Sequence, residues 1–213
     1  MGLLGGVGSG KSTVARRAAE CYGLTVVDAD AAGHRALTTD DVKMRLRERF
    51  GDGIFAAGGA VDRSALAARV FGQAADRQAA RKVLEQITHP AITAELERQI
   101  EQARTTGVAA LLLDAAVLLE AGWQRLCDAI IYIDVPAEVR SARVAASRGW
   151  SESQWRDREA SQLTLDEKRR RADAVIDNRG TPDEAAHELA AALETVCGIR
   201  LPEPAHVAGV SAP

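Results

Sequence analysis

The sequence predicts an α/β fold, a parallel five-stranded sheet flanked by helices. Three observations predict it. Short apolar runs recur along the chain, and each ends in acidic or polar residues. Helical stretches separate those runs. The first run opens into a glycine-rich turn and then a helix. Short apolar runs bounded by turns and alternating with helices are the pattern of a parallel sheet covered on both faces.

The first strand is Met1 to Leu4. A buried parallel strand usually runs about 5–6 residues, so this one reads as clipped, with the true start expected upstream. The turn after it, Gly5-Gly6-Val7-Gly8-Ser9-Gly10-Lys11-Ser12, fits G-x-x-x-x-G-K-[ST] without a mismatch. Its glycines permit positive φ, so successive backbone N–H groups can aim at phosphate oxygens. Lys11 is placed to reach the β- and γ-phosphates of ATP, and Ser12 offers a hydroxyl to Mg²⁺. The helix beginning near Gly10 adds its partial positive charge, and Thr13 to Ala19 reads as its body.

Four further runs read as strands: Leu24 to Val27, ending in Asp28-Ala29-Asp30; Val108 to Leu113, ending in Asp114; Ala129 to Ile133, ending in Asp134; and Ala174 to Ile176, ending in Asp177-Asn178. Ligands of such sheets bind beyond the carboxyl ends of the strands, where these acids sit. A carboxylate at Asp28 or Asp30 can accept a proton from an acceptor hydroxyl or orient it. Strand alternation puts both on one side of the chain if the extended form persists. In a turn of its own the pair would read as solvated aspartates; beside a phosphate loop the catalytic reading prevails. Asp114 ends LLLD and admits two readings, a direct or water-mediated Mg²⁺ contact or a strand-end carboxylate bonded to the loop backbone.

Two insertions interrupt the alternation. Residues 35–105 hold four helical segments, Val42 to Phe50, Arg63 to Phe71, Ala75 to Ile87 and Ala91 to Ala103, and read as a helical acceptor-binding subdomain. His89-Pro90 falls between the last two, where proline suits a first helical turn. His89 there either meets a phosphate or caps the turn. Residues 138–172 are strongly charged, with Arg140, Arg143, Arg148, Arg156, Arg158, Lys168, Arg169, Arg170 and Arg171. They suit a helical lid whose arginines face the charge of a transferring phosphoryl group and exclude water. Ser151 with Gln154 predicts a capping box there. The core is then 1–34, 106–137 and 173–200, and the Pro/Ala-rich tail 201–213 is expected to be disordered.

Composition narrows the function classes. A chain of 213 residues with 46% hydrophobic content suits one domain with insertions. No apolar run approaches the roughly 18 residues of a membrane span. The net charge of −3 argues against bulk nucleic-acid binding. Cys21, Cys127 and Cys197 are too scattered for a metal site or disulfide framework and read as reduced thiols of a cytoplasmic protein. No nucleic-acid or membrane partner is expected, and the chain is expected to be a monomer or weak homo-oligomer.

At this point the residues resemble the dephospho-CoA kinases. GGVGSGKST with VVDADAAGHRAL resembles that family's opening, and GGAVDRSALAARVF, ITHPAI, LLLDAAVLLE and LTLDEKRRRADAVIDNRGT resemble its later blocks in order, from residue 1 to about 197. The resemblance implies a P-loop kinase-type fold and transfer of the ATP γ-phosphate to the ribose 3′-hydroxyl of dephospho-CoA. It implies Asp30 as the base or orienter, with Lys11 and Arg143 on the transferring phosphate. Gly8, Ser9, Gly10, Lys11, Ser12 and Thr13 fall on the phosphate-binding stretch, and Asn178 and Gly180 on the loop near adenine. Arg63, His89, Asp114, Leu118 and Glu120 fall on the acceptor side, and Ser12 and Asp114 on Mg²⁺. There are departures. Ala116 replaces the family's proline and Leu119 its phenylalanine. Ser147 stands where a second lid arginine is usual, with Arg148 one position later. The strand before the loop is also shorter than the family's.

Two other classes compete. A nucleoside or nucleotide kinase would share the loop, the acid and the lid; DRSALAARVF and THP favour the coenzyme precursor instead. A non-catalytic ATP-binding regulator would keep the loop but lose the base or lid, whereas Lys11, Ser12, Asp30 and Arg143 are all present. A GTPase is disfavoured, because NRGT at Asn178 lacks the lysine and aspartate of a guanine-reading loop.

Overall fold

The structure is a computed structural model and describes residues 1–72 and 74–205. Five strands, β1 (Gly2–Gly5), β2 (Thr25–Asp28), β3 (Leu111–Asp114), β4 (Ile130–Asp134) and β5 (Ala174–Asp177), form one parallel sheet in the order β2-β3-β1-β4-β5. β1 lies at the centre and pairs along its length with β4, Gly2 opposite Ile130 and Gly5 opposite Ile133. It is no shorter than β2, β3 or β5, so its length says nothing of where the chain starts.

The register explains why the acids gather. Asp28 lies opposite Asp114, and Asp134 opposite Asp177, each at the last position of its strand. The chain leaves β1 between these two pairs, at the crevice where parallel sheets hold ligands. α1 (Lys11–Tyr22) then runs back along the sheet and packs on α9 (Pro182–Cys197). Ala15 and Ala18 on α1 and Ala185, Ala186 and Ala190 on α9 are small enough for close approach, with Val14, Leu189 and Leu193 filling between them. Thr181 and Glu184 form a capping box at the start of α9, and Pro182 occupies its first turn.

The chain divides into two compact units, Met1–Asp28 with Gln99–Pro213, and Ala29–Arg98. The first contains the sheet, α1, α9, and the charged helices α6 (Ala137–Arg148), α7 (Glu152–Ala160) and α8 (Leu165–Arg170). Ser151 and Gln154 make the expected capping box on α7. The second contains α2 (Ala29–Ala36), α3 (Asp40–Phe50), α4 (Arg63–Val70) and most of α5 (Ala75–Thr105), with its own core of Val42, Leu46, Ile54, Leu66, Val70 and Ile87.

Three expectations change. α5 is one helix that runs through Pro90, not two helices joined at His89-Pro90. Interior proline costs about 3 kcal/mol, since it lacks an N–H and crowds the preceding turn. Burial of Ile87 before it and of Ile92 and Leu96 after it holds the helix together. Asp28 and Asp30 do not share a face of an extended segment, because α2 begins at Ala29. Asp30 sits in its first turn, where the helix dipole favours a carboxylate. The tail starts as packed chain: Leu201 is buried in the main core, and the Ala205 N–H donates to the Cys21 carbonyl at 2.9 Å. Residues 206–213, the rest of that segment, lie outside the described residues.

Candidate active site

The loop between β1 and α1 is a cradle of amides. Gly8 and Gly10 adopt φ of 85° and 82°, left-handed values that a Cβ would strain. Gly6 has no positive φ; it is glycine for want of space, since a Cβ there would collide with the Arg140 guanidinium. The Ser9 N–H closes a turn onto the Gly6 carbonyl at 3.1 Å. The N–H groups of Gly8 and Gly10 take no acceptor among the described residues.

Several of the loop's carbonyls, by contrast, are occupied by side chains. Lys11 Nζ donates to the Gly5 carbonyl at 3.4 Å. Arg140 Nη1 and Trp155 Nε1 both donate to the Val7 carbonyl, at 3.3 and 3.0 Å. Asn178 Nδ2 donates to the Ser9 carbonyl at 2.7 Å. In a planar trans peptide the C=O and the following N–H point opposite ways. Pulling the Ser9 carbonyl outward therefore turns the Gly10 N–H inward.

Other expected residues collect around this loop within the first unit. Arg143, half-buried on α6, donates through Nη2 to the Asn178 carbonyl at 2.9 Å, and its Nη1 would lie 3.7 Å from a Cβ on Gly10. Asn178 is only 4% exposed, so its side chain is spent on the loop. A Cβ at Gly180 would strike the Glu184 carboxylate, which folds back onto the Thr181 N–H. Ser12 and Thr13 stand exposed at the start of α1. Arg148 lies over the Trp150 ring, 5.0 Å from its centroid, with Arg158 at 5.5 Å, so the register departure at Ser147 leaves Arg148 stacked on an aromatic face.

The strand-end acids divide. Asp134 pairs with Arg169 at 2.6 Å and Asp177 with Arg179 at 2.5 Å. Asp114 is 8% exposed, and its carboxylate takes no hydrogen bond or ion pair among the described residues, so the reading that bonded it to the loop backbone does not hold. Glu120 turns inward: its Oε1 accepts from the Leu163 N–H at 2.8 Å and lies 3.6 Å from Lys168 Nζ. Burial lowers the Lys168 ammonium's pKa, opposed by Glu120. Leu118, expected on the acceptor side, is fully buried in this structure and packs beside Gly2, where a Cβ would lie 2.6 Å from its Cδ2.

Three expected residues belong to the second unit. Asp30 stands exposed in the first turn of α2. Arg63 is the first residue of α4, whose cap Asp62 accepts from the Ser64 and Ala65 N–H groups. His89 is half-buried on α5, and burial lowers its pKa, with Glu85 opposing and Arg81 assisting.

The residues present fit a magnesium-bound nucleoside triphosphate. The Gly8 and Gly10 amides have no acceptor among the described residues, their left-handed φ values exclude a Cβ, the Ser12 hydroxyl makes no bond among the described residues, and Asp114 is a buried carboxylate in want of a cation. No group of three His, Cys, Asp or Glu among the described residues is arranged to hold a metal. Sequence reasoning missed Arg140 and Trp155 as loop contacts and the buried Ser9 hydroxyl, which has no partner among the described residues. Only the count of arginines in 138–172 hinted at the first.

A parallel sheet with this loop at its centre and arginine-bearing helices beside it defines a P-loop kinase. The family model for dephospho-CoA kinase matches residues 1–184. The chain is 42% identical to the dephospho-CoA kinase of Symbiobacterium thermophilum over 213 residues, all of this chain and 86% of that one. A crystal structure from Thermus thermophilus superposes with a TM-score of 0.76 at 31% identity, covering 91% of this chain and 95% of that one. The dephospho-CoA kinase of Campylobacter jejuni superposes at 0.58 over 92% and 95%, and at 23% identity it supports the fold. This chain belongs to the dephospho-CoA kinase family, and it is accordingly a kinase, a transferase. No helix among the described residues is long and apolar enough to cross a membrane.

Proposed function

We propose that this chain transfers the γ-phosphate of ATP to the ribose 3′-hydroxyl of dephospho-CoA, giving coenzyme A and ADP. The observation that carries the reading is the phosphate loop with its amides open and its carbonyls occupied, in a chain of this family over nearly its whole length. In the transfer the 3′-oxygen bonds to the γ-phosphorus, the bond to the β–γ bridging oxygen breaks, and the hydroxyl proton leaves.

Asp30 orients that hydroxyl and accepts its proton. Gly8, Ser9, Gly10, Lys11, Ser12 and Thr13 bind the triphosphate, with Lys11 and Arg143 meeting the charge that spreads over the transferring oxygens. Ser12 and Asp114 would hold Mg²⁺, which would supply positive charge to offset that of the phosphates. Asn178 and Gly180 border adenine through backbone, since the Asn178 side chain is occupied. Arg63, His89, Asp114, Leu118 and Glu120 serve the acceptor. Arg63 supports this by its position: a cation at the start of a helix opposes the helix dipole, so it suits an anionic ligand better than it suits α4.

The test is ATP-dependent phosphorylation of dephospho-CoA, run beside nucleosides and nucleoside monophosphates. Coenzyme A formation with kcat/KM well above every nucleoside acceptor is expected. Preferred phosphorylation of a nucleoside would overturn the acceptor, and tight ATP binding with no turnover on any acceptor would make the chain a regulator.

A further inference from the structure

The charged helices do more than present arginines. We propose that Arg140 and Trp155 are positioning residues for the nucleotide, a latch that holds the phosphate loop in its binding shape from behind. The inference rests on the phosphate loop being the ATP site.

Arg140 is on α6 and Trp155 on α7, yet both donate to one carbonyl, that of Val7. Arg140 is 2% exposed although it carries a charge. Its Nε donates to the Val135 carbonyl at 3.1 Å, where β4 ends, and its Nη1 serves both Val7 and the Glu159 carboxylate. Its guanidinium lies over the Trp155 ring, 5.2 Å from the centroid. Val7, Val144 and Trp155 form a small core of their own, with Trp150 packed against it. A buried arginine is costly unless its donors are matched, and here strand, loop and α7 take those of Nε and Nη1.

What this does to ligand binding follows from peptide geometry. The Val7 carbonyl and the Gly8 N–H belong to one planar unit and point opposite ways. Two donors on the carbonyl hold it outward, so the Gly8 N–H stays turned into the cradle. That amide has no acceptor of its own among the described residues. Without the latch the peptide on the N-terminal side of Gly8 is free to rotate, because glycine permits either orientation. Binding ATP would then have to select the inward one. Gly6 and Gly8 record the same constraint: a Cβ on Gly6 would meet the Arg140 guanidinium, and one on Gly8 would lie 2.5 Å from the Arg140 carbonyl oxygen.

The experiment compares the full chain with Trp155→Phe, Arg140→Gln, Arg140→Lys and Lys11→Ala. Trp155→Phe keeps an aromatic ring in the small core while removing the N–H together with part of the indole, so the variant's folding is checked by its melting midpoint alongside its ATP affinity. ATP affinity is measured by titration calorimetry, and kcat and KM are measured for each substrate. Trp155→Phe and Arg140→Gln are expected to weaken ATP binding and raise its KM by roughly 3- to 30-fold each, the worth of about one hydrogen bond to a buried group. The KM for the acceptor should stay within about twofold, and Arg140→Lys should recover part of the loss, because it keeps the charge. Folded variants with unchanged ATP affinity, or a loss shared equally by both substrates, would reduce the pair to ordinary packing and overturn the latch. Lys11→Ala separates the premise from the inference. If it too leaves ATP affinity and rate unchanged, the loop is not the nucleotide site and the latch falls with it. If it impairs either while the latch variants are silent, only the latch fails.

Discussion

Replacing Asn178 tests the loop's design at a single atom. The Asn178 side chain is almost wholly buried, and its Nδ2 gives the 2.7 Å bond to the Ser9 carbonyl. Asn178→Ala removes that donor and leaves the Arg143 bond alone, because Arg143 uses the backbone oxygen. Ser9 has no exposed surface, so its carbonyl has no water to turn to. A buried acceptor left without a partner costs about 1–3 kcal/mol. That cost can appear in two places. If the loop keeps its shape, folding stability falls; at about 2–4 °C per kcal/mol for a chain of this length, the melting midpoint drops by roughly 2–12 °C. If the Ser9–Gly10 peptide rotates to find water, stability recovers and ATP affinity falls instead, by about 5- to 150-fold at most. The ATP-bound folded state is the same in both cases, so the two losses must sum to about 1–3 kcal/mol. Denaturant unfolding gives the first and calorimetric titration with a non-hydrolysable ATP analogue gives the second. Asn178→Asp, equal in shape but with an oxygen in place of the donor, should give a larger sum. A sum below about 0.5 kcal/mol for Asn178→Ala, well under the price of one orphaned buried carbonyl, would refute the idea that this bond shapes the loop.

Two further outcomes are expected. Asp30→Ala should leave ATP binding nearly intact and lower turnover by about 10²–10⁴-fold, the range of a positioned acid or base, and wild-type turnover would remove Asp30 from the chemistry. His89 gives a pH signature: burial lowers its folded pKa below 6.5, so between those two values the unfolded chain binds more protons than the folded one. Stability should therefore fall as pH drops below 6.5 and level off beneath the folded pKa; urea midpoints from pH 7.5 to 5 should show this slope, and His89→Gln should flatten it.

Some features were legible in the sequence because local rules decide them. The glycines and Lys11 specify their loop within eight residues, and the runs ending in Asp28, Asp114, Asp134 and Asp177 became the strands between helices. Other features depend on partners far along the chain. Pro90 reads locally as a break, and only the burial of Ile87, Ile92 and Leu96 keeps α5 whole. Asp30 follows strand alternation on paper, but the chain turns helical at Ala29. Leu118 matches a family block, but the sequence does not tell that it is fully buried, since apolar residues in such a block do not declare which face they take. Arg140 is the plainest case. In an arginine-rich stretch it reads as one surface charge among many, whereas Val7, its partner, lies 133 positions away.

That distance has a physical consequence for the phosphate loop. A glycine-rich segment loses more conformational freedom on ordering than any other, about 1–2 kcal/mol per residue for the backbone. If ATP had to order the loop, that cost would come out of its affinity. Here the order comes from the fold: the Gly5, Val7 and Ser9 carbonyls are held by Lys11, by Arg140 with Trp155, and by Asn178. The Val7 and Ser9 carbonyls are fixed outward, so the amides that follow them are aimed before any ligand arrives. On the proposed reading of this loop as the ATP site, affinity for the triphosphate would be tied to the integrity of α6, α7 and the turn after β5, none of which is part of the phosphate-loop motif. Substitutions around Glu159 or Trp150 can then alter nucleotide binding without touching the nucleotide, through the orientation of a single peptide.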